Sequence, residues 1–365
     1  MWGRKHLLGG ILLLALMAAT AWLLLRDQPL SALLLVLGHT DPGYLLLGLG
    51  LMFLFVGCEA MCSRLVLRRL GCRVTWRQCL GYSFAGFYVS SITPSATGGQ
   101  PAQIYYMSRD GIPAAHGALN MMLIAVCYQV TVLGYALTAW LALPELRTAL
   151  GGGLEWLLLY GGGVMLFLTA GMLVMMFLPG PANALTRGVL ALLAVVGAVR
   201  DREAAEEKRK KQLAAYAAGA RCLRGHPELL PMLLLLTAAQ LTALFAVPYV
   251  VYLAFGLRGE GLPIFLGTQA LVTLAVSSLP LPGAVGPAES GFVRAFTPLF
   301  GAGLVTPAML VSRGISFYAF LLISGCVTLA VHLRGSAKRA GAGREKQNLR
   351  KHTVSRCKAP QTVVQ

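Results

Sequence analysis

The sequence predicts an all-α polytopic membrane protein of about six to eight transmembrane helices, with two Pro/Gly-broken segments in two related halves. Three observations predict it. Hydrophobic residues make up 56% of the 365 positions and charged residues 12%, whereas a soluble domain carries about 25% charge. Several apolar runs reach the roughly 20 residues that a bilayer core demands. Arg and Lys gather between those runs and after the last one, which also explains the net charge of +17. A positive balance placed beside apolar helices follows the positive-inside rule, so direct binding of nucleic acid is not expected.

The first run, residues 7–25, follows Arg4, Lys5 and His6 and mimics a signal peptide. It is longer than a typical signal core, and Arg26-Asp27-Gln28-Pro29 offers no small-residue cleavage site, so a retained first helix is expected. Further helices are expected over 44–65, 118–143, 154–178, 229–255 and 304–333. The stretches 79–106 and 262–300 are apolar but broken near their centres by Pro and Gly, and 181–199 is either a short span or an interfacial segment. Gly151–Gly153 and Gly161–Gly163 are expected to permit close helix approach or loop bending.

Loop charge gives orientation. Arg64, Arg68, Arg69, Arg73 and Arg77 follow the second run, the segment 201–224 is densely charged, and the tail after 333 is basic. The rule then puts both termini and these loops in the cytoplasm. Parity makes each broken stretch return to the side it left, the first entering from the cytoplasm and the second from outside. Opposed broken helices meeting at mid-membrane are a transporter design. The expected organisation is one integral membrane domain over 1–333, with halves of about 1–180 and 225–333 joined by a charged cytoplasmic loop 200–228, and a basic disordered cytoplasmic tail 334–365.

The broken stretches resemble each other. Val89-Ser90-Ser91-Ile92-Thr93-Pro94-Ser95-Ala96-Thr97-Gly98 aligns with Val276-Ser277-Ser278-Leu279-Pro280-Leu281-Pro282-Gly283-Ala284-Val285-Gly286 with one inserted residue. Proline breaks the helical ladder and glycine lets the backbone leave it. Backbone groups freed in lipid need protein or a watery cavity, so such strings line cavities, and the helix that restarts after them aims its N–H groups inward, which suits a phosphate. The alternative is a plain Pro/Gly turn at the surface. Pro94, Gly98, Gly99, Gln100, Gln103, Tyr105, Pro282 and Gly286 are the resulting candidates.

Ionisable residues inside apolar runs are the other candidates. Glu289, Arg294, Arg313 and Glu59 qualify. Glu289 with Arg313 is the preferred pair, either as a headgroup site or as an ion pair that only fixes packing. Glu59 is expected near the cytoplasmic end, paired with a loop arginine such as Arg64. Gln129, Gln240 and Gln269 are expected to bond between helices. Cys58 and Cys62 read as packing residues, no C-x-x-C pair occurs, and the six His are scattered. No metal, cofactor or catalytic residue is expected.

The string Thr93-Pro94-Ser95-Ala96-Thr97-Gly98-Gly99-Gln100-Pro101-Ala102-Gln103-Ile104-Tyr105-Tyr106-Met107, with Pro282-Gly283-Ala284-Val285-Gly286-Pro287-Ala288-Glu289, resembles the lysylphosphatidylglycerol synthase transmembrane-region family, also described as flippase-like. The resemblance spans about residues 7–333. It places the family's glutamate on Glu289 and its last-helix arginine on Arg313. Tyr128-Gln129 stand where a charged residue is often found. The resemblance implies a multi-pass protein of a bacterial or archaeal cell membrane that moves aminoacylated phosphatidylglycerol, or a related anionic lipid, between leaflets, with antibiotic resistance among the associated roles. It also implies a partner: a separate aminoacyltransferase, since no catalytic domain is visible before Gln365 and lysyl transfer by this chain alone is not expected. Two other readings stand beside the flippase. One is the membrane component of a phosphatidylglycerol lysyltransferase, a transferase by family only. The other is a non-transporting scaffold. Membrane phospholipids are the expected partners, and a homo-oligomer is left open.

Overall fold

The computed structural model describes residues 41–178, 180–181, 183–184, 186–188, 202–276, 279 and 286–334. The expected helix at 7–25, most of 181–199, Pro282 and the tail lie outside them. All regular structure in these residues is helical.

Helix α1 (Pro42–Arg69) begins where Asp41 accepts a hydrogen bond from Gly43 N at 2.8 Å and Pro42 fills the first position. It ends at Leu70–Gly71, with Gly71 at φ +78°, a left-handed stop that glycine adopts without strain. Thr75 and Gln78 form a reciprocal capping box that starts α2 (Trp76–Ile92). The turn Thr93–Gly98 then reverses the chain into α3 (Gly99–Arg109). At the far end of this pair, Tyr82 Oη and Gln78 Nε2 donate to Asp110 Oδ2 at 2.6 and 3.2 Å. The start of α2 thus lies beside the end of α3, and the pair is a helical hairpin.

Helix α4 (Ala114–Ala142) and α5 (Pro144–Phe177) follow. The backbone is helical from Pro144 through Gly151–Gly153, so no loop bends there; Pro144 opens the helix and only Leu143 separates it from α4. Gly161 instead marks a close approach, since a Cβ there would stand 2.0 Å from Leu274 O. The charged segment is itself a helix, α6 (Arg202–Arg224), packed along α4. Its Gln212 Oε1 accepts from Ala115 N at 3.1 Å, satisfying a donor at the open N-terminus of α4. On α6, Arg209 grips Glu206 with two hydrogen bonds of 2.8 and 2.5 Å, which hold that carboxyl below its usual range.

Helix α7 (Leu229–Phe245) runs into α8 (Val247–Ala254) through a break at Ala246, where Pro248 removes a donor from the ladder. A second hairpin comprises α9 (Leu262–Val276) and α10 (Pro287–Phe300). Phe265, near the start of α9, meets Phe300, at the end of α10, with ring centres 5.9 Å apart, so this pair also returns to where it began. The last helix, α11 (Val305–Arg334), contains a π turn over Gly314–Ala319.

Contacts at the helix ends show that the hairpins come from opposite ends of the bundle. At one end, Arg69 pairs with Glu228 at 3.7 Å, and Arg109 NH2 donates to His332 O at 2.7 Å beside Asp110. At the other, Arg258 reaches Tyr44 Oη at 3.4 Å, and Tyr252 and Phe255 touch Phe300. The first hairpin opens toward the former end and the second toward the latter. Their tips touch, where Ser95 Oγ donates to Leu279 O at 3.3 Å. At about 1.5 Å per residue, the 17 residues of α2 and the 15 of α9 fall short of a 30 Å hydrocarbon core. Helices α1, α4 and α11 with α7–α8 and part of α5 make five candidate spans among the described residues.

The core has two centres. Val247, Phe265, Phe292, Phe296 and Phe300 gather around the second hairpin, and Val66, Leu67, Tyr82, Met107 and Leu119 around the first. Outside them, Leu46, Trp156, Phe167 and Leu235 are each more than two-thirds exposed. A surface of that kind is unstable in water and at home in lipid.

Candidate functional site

Two adjoining chambers flank the meeting of the hairpin tips, and Phe87, Ser90 and Ala96 line both. The tip that separates them is strained. Ser95 and Ala96 have φ of +49° and +54°, a left-handed backbone that disfavours L residues by about 1–2 kcal/mol each. Consecutive non-glycine residues in that region are held there by their surroundings: Ala96 N donates to Thr93 O at 3.2 Å, Ser90 Oγ to Ala96 O at 3.3 Å, and Gly98 N to Thr93 Oγ1 at 3.0 Å.

One chamber, of about 290 Å³, is lined by Arg313 with Ser91, Gln269, Thr273, Ser312 and Ser316 among apolar side chains. Arg313 Nε donates to Glu289 Oε1 at 3.1 Å, and both side chains are at most 15% exposed. The guanidinium carbon also sits 4.4 Å from the centre of the Phe317 ring, a cation–π contact. Glu289 owes its position to the turn before it. Gly286 takes φ +91°, Pro287 starts α10, and Glu289 accepts from Gly286 N. The N-terminus of α10 therefore already holds an anion, its own Glu289, where the sequence suggested a bound phosphate. On the other helix, the π turn begins directly after Arg313; such turns interrupt helices frequently at functional sites.

The second chamber, of about 380 Å³, is lined by Glu59, Gly99, Gln100, Gln103, Tyr128, Gln129 and Gln240 with apolar neighbours. Gln103 Nε2 donates to Glu59 Oε1 at 2.7 Å, linking α3 to α1. This overturns the expected pairing of Glu59 with Arg64. Residues five apart on a helix project from different faces, whereas three or four apart share one. Two glycines allow the contact. A Cβ on Gly86 would stand 2.2 Å from Gln103 Nε2, and one on Gly99 would stand 1.9 Å from Ser90 Oγ. Gln103 is 5% exposed and Gln240 2%, and the amide oxygen of each is buried without a hydrogen-bond partner.

The structure thus brings Gly99, Gln100 and Gln103 to one chamber and Arg313, backed by Glu289, to the other. Gly98 packs against Thr93 in the tip, Pro94 is exposed on it, and Gly286 starts α10. Tyr105 is 55% exposed beside Tyr106, and Arg294 is exposed; neither lines a chamber. Of the three glutamines expected between helices, Gln129 accepts from Thr169 of α5 at 2.5 Å, while Gln269 bonds within α9 to Thr273 at 3.5 Å. The link between Glu59 and Gln103 was not read from the sequence. Its signal was there: Glu59 and Gln240 are polar residues inside apolar runs, and only their meeting with Gln103 in one chamber was hidden.

The architecture defines a polytopic helical membrane protein with two opposed hairpins around polar chambers. Residues 8–324 match the family model for the lysylphosphatidylglycerol synthase TM region, and the chain belongs to that family. No curated protein matches it.

Proposed function

We propose that the chain is a phospholipid flippase or transporter that moves an anionic lipid, aminoacylated phosphatidylglycerol or a relative, between the leaflets of a bacterial or archaeal cell membrane, with both termini cytoplasmic. The observation that carries this reading is the tip-to-tip meeting of two hairpins from opposite ends of the bundle, at Ser95 and Leu279, beside a chamber that presents Arg313. Hairpins too short to span give each side of the membrane its own gate, and the tips are the point both gates share. A guanidinium at depth suits a phosphodiester, which it meets with planar paired donors. Glu289 keeps that cation neutralised while the chamber is empty and holds it in place for a headgroup.

The test is leaflet exchange of headgroup-labelled phosphatidylglycerol, plain and lysylated, in proteoliposomes of the purified chain. Exchange by the wild type that falls by about tenfold or more in Glu289→Gln and Arg313→Lys supports the reading. Wild-type exchange equal to that of empty liposomes, from folded protein, rejects it. The family's description as the membrane region of a synthase favours a second reading, the membrane component of a lysyltransferase served by a separate catalytic domain. Lysyl-lipid formation that needs both this chain and an added aminoacyltransferase would select it.

A further inference from the structure

We propose that the Glu59 chamber is a binding site for a monovalent cation. Among the described residues no basic side chain pairs with Glu59; its hydrogen-bond partner is the neutral amide of Gln103. Glu289, the carboxylate in the first turn of α10, has Arg313. A carboxylate inside a membrane helix needs a compensating positive charge or a proton. Here the surroundings supply more than the carboxylate. Gln103 and Gln240, both more than nine-tenths buried, line the same chamber with amide oxygens that no donor satisfies. Buried polar atoms without partners are uncommon and call for an explanation. Two from different helices, α3 and α7, beside one carboxylate form an all-oxygen acceptor set.

That donor set selects the chemistry. Oxygen ligands suit hard cations and ammonium groups and disfavour the softer transition metals. One carboxylate supplies one negative charge, so a single positive charge neutralises the site and a divalent ion would leave it charged. The chamber of about 380 Å³ has room for a hydrated alkali ion or for an ammonium carried on a larger molecule. It shares the wall of Phe87, Ser90 and Ala96 with the Arg313 chamber, so a cation here lies next to the place where an anion is drawn. The cation has two possible sources, a free alkali ion or an amine on the lipid headgroup. This inference goes beyond lipid exchange, and binding can be measured without it.

The experiment is thermal unfolding of the purified, detergent-solubilised full chain, followed by tryptophan fluorescence. Wild type, Glu59→Gln, Gln240→Leu and, as a charge control, the exposed Arg294→Ala are titrated with NaCl, LiCl or KCl against N-methylglucamine chloride at constant ionic strength. A parallel titration compares glycerophosphoethanolamine with glycerophosphoglycerol. At a ligand concentration about 100 times Kd the wild type and Arg294→Ala each gain about 3–4 °C. Glu59→Gln gains nothing, and Gln240→Leu needs about tenfold more ligand. A shift with an alkali ion identifies a free-ion site; a shift with the amine-bearing diester alone identifies the headgroup. No shift in the wild type with any of these, or the same shift in Glu59→Gln, overturns the proposal. If Glu59→Gln does not fold, an unchanged midpoint of binding in Gln240→Leu overturns it.

Discussion

Glu289 and Glu59 are two carboxylates set in apolar helices on either side of one wall, and they keep opposite company. Glu289 is held by the Arg313 guanidinium and by the backbone N–H that opens α10. Glu59 has one neutral amide and faces a chamber with two unsatisfied amide oxygens. A charge neutralised within the protein works as part of the scaffold as well as of the site, and removing either partner strands the other. A charge left to be neutralised from outside adds little to the fold and is available to a ligand.

The largest effect expected from this contrast is at the ion pair. Arg313→Ala or Glu289→Ala should each destabilise the protein by about 3–5 kcal/mol, because a buried charge loses its partner. The double variant should recover part of the loss, a coupling of about 1–3 kcal/mol in a double-mutant cycle of chemical unfolding in micelles. Additive losses would break the comparison. Next comes Gly86→Ala, whose Cβ has no room beside the Gln103 amide. Overpacking there should cost about 1–3 kcal/mol and shift Gln103 away from Glu59, weakening cation binding by thermal unfolding. The smallest effect is expected at Glu59 itself. Glu59→Gln should stay within about 1 kcal/mol of wild type, since an amide oxygen can still accept from Gln103. A loss as large as that at Arg313 would show that Glu59 is structural and sink the distinction.

The pattern of runs, Pro/Gly breaks and flanking arginines was enough to read the helices α1, α4, α7–α8 and α11, and to read the two broken stretches as returning pairs. Each of these is a local signal: length, hydropathy, a proline, a positive loop. The pairing of Glu289 with Arg313 was also within reach, because isolated opposite charges in hydrocarbon are expensive apart. What stayed hidden depends on angular phase and on distant chain segments. Glu59 sits on the face of α1 that meets Gln103, 44 positions away, and no pattern near Glu59 announces it. The strained turn at Ser95 and Ala96 was hidden too, because neither residue carries the glycine signature of a left-handed backbone. The helical state of 202–224 was obscured by its charge, which reads as a loop until α4 offers Gln212 a backbone donor to cap.

The π turn at Gly314–Ala319 also sets the phase of α11. A π turn carries one more residue than the α-helical turn it replaces, and each residue turns an α-helix by about 100°. Upstream, Arg313 points to the chamber; downstream, His332 meets Arg109 and Tyr106 at the other end of the bundle. The extra residue in the turn between them enters their relative azimuth. Deleting one residue from the turn would rotate one end of α11 against the other by about 100°, so the length of this short segment matters to both contacts.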